Sequence, residues 1–278
     1  MREVVVHFGD NEALEAILTV PYKATDNLDR PTFVFLNSGL LHRVGPNRLH
    51  VTMARELAVT GIRSLRLDLS GVGDSPASGG THSIAERWAG ETVQAMDHLE
   101  TRYGDSRFVL LGNCSGAAIS LIAAARDSRV VGAALVNLQG PRTYLRYYLR
   151  LAVRKPAIWL RLLGGGARYR DLLNSLRGLL AGRGDKSVDE ETRAFDLDGT
   201  LNSLVRHRTQ VLMVYCAWDP SLDFYRLKLR PKLEQTIPAT HLRTEIIPGM
   251  NHDFSLLGGQ QTLRRIVRDW AASWSAHG

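Results

Sequence analysis

The sequence predicts an α/β protein: a mostly parallel twisted sheet flanked by helices, with a helical segment inserted late in the chain. Three observations predict it. Short apolar runs of the buried-strand type alternate with helical stretches up to residue 140 and again from 206. One of these runs ends in the turn Gly112-Asn113-Cys114-Ser115-Gly116 and continues as an alanine-rich helix. After Gly140-Pro141 the alternation stops, and between residues 142 and 183 ten Arg or Lys side chains stand against one acid, Asp171. A chain of 278 residues with 44% hydrophobic content can bury a full core. The expected organisation is a core of residues 1–140 and 206–278 and a basic helical insertion of residues 141–205.

The elements follow in order. Glu3 to Phe8 and Leu14 to Val20 flank a Gly9-Asp10-Asn11 turn and read as an antiparallel hairpin. Pro31 to Leu36 is an apolar strand that stops at Asn37-Ser38-Gly39-Leu40-Leu41. Asn47 to Val59 is an amphipathic helix ended by Gly61, and Ile62 to Leu67 is the next strand. It runs into Asp68-Leu69-Ser70-Gly71-Val72-Gly73-Asp74-Ser75, which lacks the third glycine and helix start of a dinucleotide fingerprint and reads as a structural loop. From Ser83 to Tyr103, Ile84, Trp88, Met96 and Leu99 mark one apolar helix face, with Trp88 expected in the core. Arg107 to Leu111 leads into the cysteine turn, Ser115 to Arg126 is the helix behind it, and Val130 to Leu138 is another buried strand. Leu201 to His207 is helical, Val211 to Cys216 and Thr244 to Ile247 are strands, and Gln261 to Ser275 closes as an amphipathic helix.

The spacing Gly112-x-Cys114-x-Gly116 is that of a nucleophile elbow, G-x-Nuc-x-G, with sulfur where serine is usual. A turn this tight demands nearly side-chain-free neighbours, which the two glycines supply. Taken alone, the motif fits equally well a glycine-rich turn whose cysteine merely packs. Here the chain resembles the α/β-hydrolase fold family, and other stretches match it in order: Ser38-Gly39 after an early strand, Asp219-Pro220 just past the Val211–Cys216 strand, and Gly249-Met250-Asn251-His252 after the last. The whole-chain pattern is similar to serine-aminopeptidase-like hydrolases and thioesterases, with dienelactone-hydrolase-type enzymes as a precedent for cysteine.

The resemblance implies Cys114 as nucleophile, His252 as base and Asp219 as the acid that orients it, with Asp223 as the alternate acid. It implies an oxyanion hole built from the backbone N–H groups of Ser115 and Leu40. It also implies that the basic insertion is a cap meeting substrate, with Arg142, Arg146, Tyr148 and Trp159 as its candidate contacts. Such a site suits an acyl-processing enzyme, a thioesterase or acyltransferase, that forms an acyl-cysteine from an ester or thioester donor. Ten basic side chains over so short a span suit an anionic partner, such as an acidic acyl carrier protein or coenzyme A. Two alternatives stay open: hydrolysis of a small carboxylester or lactone, and a non-catalytic binding protein on the same fold.

Other readings are set aside. Asp196-Leu197-Asp198-Gly199-Thr200 matches the first motif of haloacid-dehalogenase-type phosphatases, but Glu190 to Ala194 precede it where that chemistry needs a buried strand. Two cysteines, Cys114 and Cys216, indicate neither a zinc site nor a disulfide scaffold, and no cofactor or metal is expected. The net charge of +7 comes with no recognisable nucleic-acid-binding motif. No bilayer span or signal peptide is read, so a cytoplasmic protein is expected.

Overall fold

The structure is a computed structural model describing residues 1–22, 30–79, 82–139 and 196–275. Contacts divide the chain into one compact unit, Met1–Gln139 with Asp198–Gly278, and a second, Gly140–Leu197. Of the second unit only its last two residues are described. Arg142, Arg146, Tyr148 and Trp159 therefore lie outside the described residues.

Eight strands form one sheet: β1 (Arg2–Phe8), β2 (Leu14–Val20), β3 (Thr32–Leu36), β4 (Ser64–Leu67), β5 (Phe108–Asn113), β6 (Val130–Val136), β7 (Gln210–Cys216) and β8 (Leu242–Ile247). Their spatial order is β1-β2-β4-β3-β5-β6-β7-β8. β1 pairs with β2, and β2 with β4, antiparallel; the other pairs are parallel. The central strands are apolar throughout because helices cover both faces, and a strand's successive side chains point to opposite faces. Phe33 and Phe35 of β3 join one core cluster with Val109 and Leu111 of β5 and Leu212 and Val214 of β7.

The helices that seal this cluster are α1 (Leu49–Val59), through Met53 and Leu57, and the last helix, Leu257–Ala272, through Leu263, Ile266 and Trp270. Two further helices, α2 (Ile84–Tyr103) and α3 (Ser115–Arg126), pack against each other, with α3 also against β5 and β6. Trp88 is in the core as expected, and its indole N–H donates to the Ser70 carbonyl at 3.0 Å. Ser83 starts α2 by accepting the Glu86 N–H at 3.2 Å, and Gly104 ends it in the left-handed conformation.

The next helix, α4 (Leu197–His207), begins four residues before the predicted Leu201 and buries Leu201 and Leu204. Asp198, from the phosphatase-like motif, lies in its first turn and pairs with Lys232 at 2.6 Å. Asp196, the first aspartate of that motif, lies in coil, and residues 197–207 are helix. After α5 (Arg230–Thr236) and β8, the closing helix Leu257–Ala272, now α6, also starts four residues early. A side chain at Gly259 would fall 1.4 Å from the Met250 methyl group. The glycine allows the helix start to press against the loop that carries His252.

Candidate active site

Most of the strands run parallel, so the loops at their carboxyl ends gather along one edge of the sheet. Those after β3, β5, β7 and β8 carry the residues singled out by sequence. Cys114 sits between the end of β5 and α3 with φ 60 and ψ −118, a conformation that few side-chain-bearing residues adopt. Its amide donates to the Val136 carbonyl at 3.0 Å and its carbonyl accepts from Ala117 at 3.1 Å. The thiol side chain is half-buried.

The elbow's two glycines have identifiable causes. A Cβ on Gly112 would lie 2.1 Å from the Gly116 carbonyl, so only glycine lets the strand and the helix it feeds approach this closely. A Cβ on Gly116 would lie 2.4 Å from the Asn37 carbonyl oxygen, on the loop after β3. That helix start and that loop are thus pressed together with no room for a methyl group. Replacing Gly116 by alanine is expected to push the Asn37 loop away and to cost about 1–3 kcal/mol of stability through overpacking, read as a lower denaturant midpoint.

Asp219 is 4% exposed, just past β7. Its Oδ2 accepts the Nδ1–H of His252, and its Oδ1 accepts the Ser221 amide at 2.7 Å and the Ser221 hydroxyl. Burial works against its charge, but the hydrogen bonds from His252 and Ser221 hold the carboxyl below its ordinary range. The pair is braced by the backbone: the Ala217 amide donates to Ile247 O at 2.9 Å and the Trp218 amide to Met250 O at 3.2 Å. The loop carrying the aspartate is thereby stitched to the loop carrying the histidine. On the far side of His252, the Asn47 side chain donates to the Asp253 carbonyl at 2.9 Å.

With Nδ1 engaged by Asp219, the imidazole presents its other nitrogen, Nε2. The hydrogen bond to Asp219, and then the nearby Cys114 side chain, push the His252 pKa up to about 10. Imidazole and carboxylate thus form a hydrogen-bonded pair, with the Cys114 side chain close enough to act on the ring. Asp223, the alternate acid, lies in the helical turn Ser221–Phe224; the carboxylate bonded to His252 belongs to Asp219. Cys216 is fully buried on β7, and burial pushes its thiol up to about 12.

The loop after β3, which holds Leu40, is a tight turn. Its Ser38–Leu41 turn closes with a 3.1 Å hydrogen bond from the Leu41 amide to the Ser38 carbonyl. The amide that reaches the start of α3 is Gly39's, which donates to Ser115 Oγ at 2.8 Å. Leu40, the residue to which sequence assigns the donor, stands at the turn's tip with 79% exposure. On the other side, the Ser115 amide belongs to the first turn of α3, where N–H groups have no intrahelical acceptor.

Two supporting sets of residues escape sequence reasoning. Beneath the elbow, Asn137 donates to Asn113 Oδ1 at 3.2 Å, Asn113 donates to Ser38 Oγ at 3.1 Å, and the Cys216 amide donates to Asn137 Oδ1 at 2.9 Å. This buried chain ties the ends of β3, β5, β6 and β7 together. Beside it, fully buried Asp68 accepts the Arg43 amide at 2.6 Å, the Asn37 side chain at 3.0 Å and the Arg43 guanidinium. The only sequence signal for either set is a polar residue at the end of an apolar strand.

His42, Asp68 and Asp74 bring three potential metal-ligand atoms together, but the Arg43 guanidinium already bonds both carboxylates and supplies the cation. Replacing Arg43 by leucine would leave Asp68 charged and buried, an expected loss of about 3–5 kcal/mol in a denaturation measurement.

Comparison with known proteins places this geometry. A sequence profile described as "Alpha/beta hydrolase family" matches residues 33–265. The fold is similar to that of a dienelactone hydrolase from Anabaena variabilis, at TM-score 0.61 and 16% identity over 97% of this chain and 96% of that one. It is similar to the alpha/beta hydrolase GrgF from Penicillium sp. sh18, at TM-score 0.64 and 18% identity over 99% and 100%. A proline iminopeptidase from Mycobacterium smegmatis gives TM-score 0.60 and 18% identity over 98% of both chains. A search of curated protein sequences finds no match. Among the described residues, no helix is long and apolar enough to cross a membrane.

Proposed function

Because this chain belongs to the alpha/beta hydrolase family, we propose that it is an acyl-processing enzyme that works through an acyl-cysteine on Cys114, as a thioesterase or acyltransferase. The observation that carries this reading is the His252–Asp219 hydrogen bond beside the strained elbow that presents Cys114. A thiol proton passes to His252 Nε2 as Sγ bonds to the carbonyl carbon of the donor, and the carbonyl π electrons move onto oxygen. When that oxyanion collapses, the bond to the alcohol or thiol leaving group breaks, and the imidazolium returns the proton to it. Water, an amine or a second thiol then attacks the thioester by the same steps in reverse order.

Sulfur at this position favours transfer as well as hydrolysis, because a thioester is aminolysed more readily than an oxygen ester. The basic run from 142 to 183 supports an anionic donor carrier, an acidic acyl carrier protein or coenzyme A. A small carboxylester or lactone is the second reading, favoured by the half-buried thiol, which a free ester can reach without a carrier.

Intact mass spectrometry after incubation with acyl-CoA, an acylated carrier protein and p-nitrophenyl esters tests the proposal. The expected result is an acyl adduct on the wild type that persists longer in His252→Ala, where water attack lacks its base. Absence of adduct and of turnover with every donor would leave a binding protein as the better account. In Cys114→Ser, hydrolysis is expected to survive while transfer to amines falls. Equal losses in both would remove the argument from sulfur.

A further inference from the structure

The contact between Gly39 and Ser115 leads beyond a hole made only of backbone amides. The Gly39 N–H donates to Ser115 Oγ at 2.8 Å, so the loop amide that reaches the start of α3 already has an acceptor. A serine hydroxyl has one donor hydrogen and two lone pairs. With one lone pair taken by Gly39, its hydrogen remains to be given. We propose that the Ser115 hydroxyl is itself a donor to the oxyanion, relaying the Gly39 amide beside the backbone N–H of the same residue. The inference rests on the reading of Cys114 as nucleophile.

The arrangement has the fixity such a role needs. Ser115 follows Cys114 directly and opens α3, so its backbone is held by the strained elbow. Gly39 is held from three sides: by the Ser38–Leu41 turn, by the Asn113 side chain on Ser38 Oγ at 3.1 Å, and by the Asn37 carbonyl against Gly116. The hydroxyl oxygen is therefore placed before substrate arrives, and reorientation of one O–H bond aims the donor. A hydroxyl that is accepting a hydrogen bond donates a stronger one, by about 10–30% in condensed-phase estimates. No proton is transferred in this step; the serine stays neutral throughout.

The test compares two reactions of the same sulfur. Acylation by a p-nitrophenyl ester passes through an oxyanion, whereas alkylation by iodoacetamide displaces iodide at a saturated carbon and forms none. Ser115→Ala is expected to slow single-turnover acylation of Cys114 by about 10- to 100-fold, below the 10²–10³ typical of losing a donor outright because the freed Gly39 amide substitutes in part. The ratio of acylation to alkylation should fall by the same factor, and Ser115→Thr, which keeps the hydroxyl, should restore most of it. Acylation in Ser115→Ala that equals or exceeds the wild type would overturn the proposal, showing that the hydroxyl merely caps the Gly39 amide. A parallel fall in alkylation would also overturn it, assigning the effect to a displaced sulfur. If the wild type itself forms no adduct, the nucleophile reading fails with it; if it does, the variant tests the hydroxyl alone.

Discussion

Cys114→Ala is expected to lower turnover by at least about 10³-fold, with no acyl adduct from any donor, because a nucleophile lost from a coupled set removes the set's whole contribution. The fold should survive. Alanine keeps the Cβ that already sits at φ 60, so it inherits the strain of the native residue without adding to it. The surrounding hydrogen bonds, from the Cys114 amide to Val136 and from Ala117 to the Cys114 carbonyl, are made by backbone atoms and remain. A denaturation midpoint near that of the wild type, measured beside the activity loss, separates chemistry from folding. Activity retained in a folded alanine variant would mean that the reaction does not pass through this sulfur.

Asp219→Asn should cost about 10²–10⁴-fold in turnover, the range expected when the imidazole is held in the wrong tautomer. An amide group at this position offers an N–H to Nδ1, so the proton moves to Nε2, where it blocks proton acceptance from the thiol. The variant also removes the largest cause of the raised His252 pKa of about 10. The acid limb of the rate profile, where the imidazole must lose its proton to serve as base, should move down from that region toward the ordinary value of 6.5.

Stability gives a second reading of the same pair. A histidine whose pKa is raised on folding adds stability that is fully present below pH 6.5 and lost as pH rises through about 10. The depressed Asp219 carboxyl adds stability present above its ordinary value of 3.8 and lost as pH falls below it. The wild type should therefore exceed the asparagine variant most between these two ordinary values. The difference should close as the pH rises toward 10 and as it falls into the acid range. A difference that stays constant from pH 5 to 11 would refute the linkage.

Much of this is legible in the sequence because the physics there is local. Phe33 to Leu36 and Val211 to Cys216 are apolar on both faces, which only a covered parallel strand tolerates. Gly112 and Gly116 announce the turn because no other residue fits between α3 and its neighbours. Asp219 and His252 are found by following a nucleophile with an acid and a histidine, and the structure brings those two side chains together.

The contact of the loop after β3 with α3 has the opposite character. That the Gly39 amide reaches Ser115 Oγ depends on the register of a turn against a helix, which no local motif marks. The Asn113–Asn137 chain is hidden for a similar reason: two asparagines in separate strands carry no periodicity that says they meet. The early start of α6 accompanies the close fit of Gly259 against Met250, a contact across nine positions that no local pattern marks.

The burial of Cys216 has a practical consequence for every measurement proposed above. A chain with two sulfhydryls, one sealed inside β7 and one at the surface of the elbow, should consume one equivalent of a thiol-specific dye when native and two when unfolded. The native stoichiometry counts competent sites directly, so specific activities can be normalised to intact sulfur instead of to total protein, and air oxidation during purification shows up as a fractional titre.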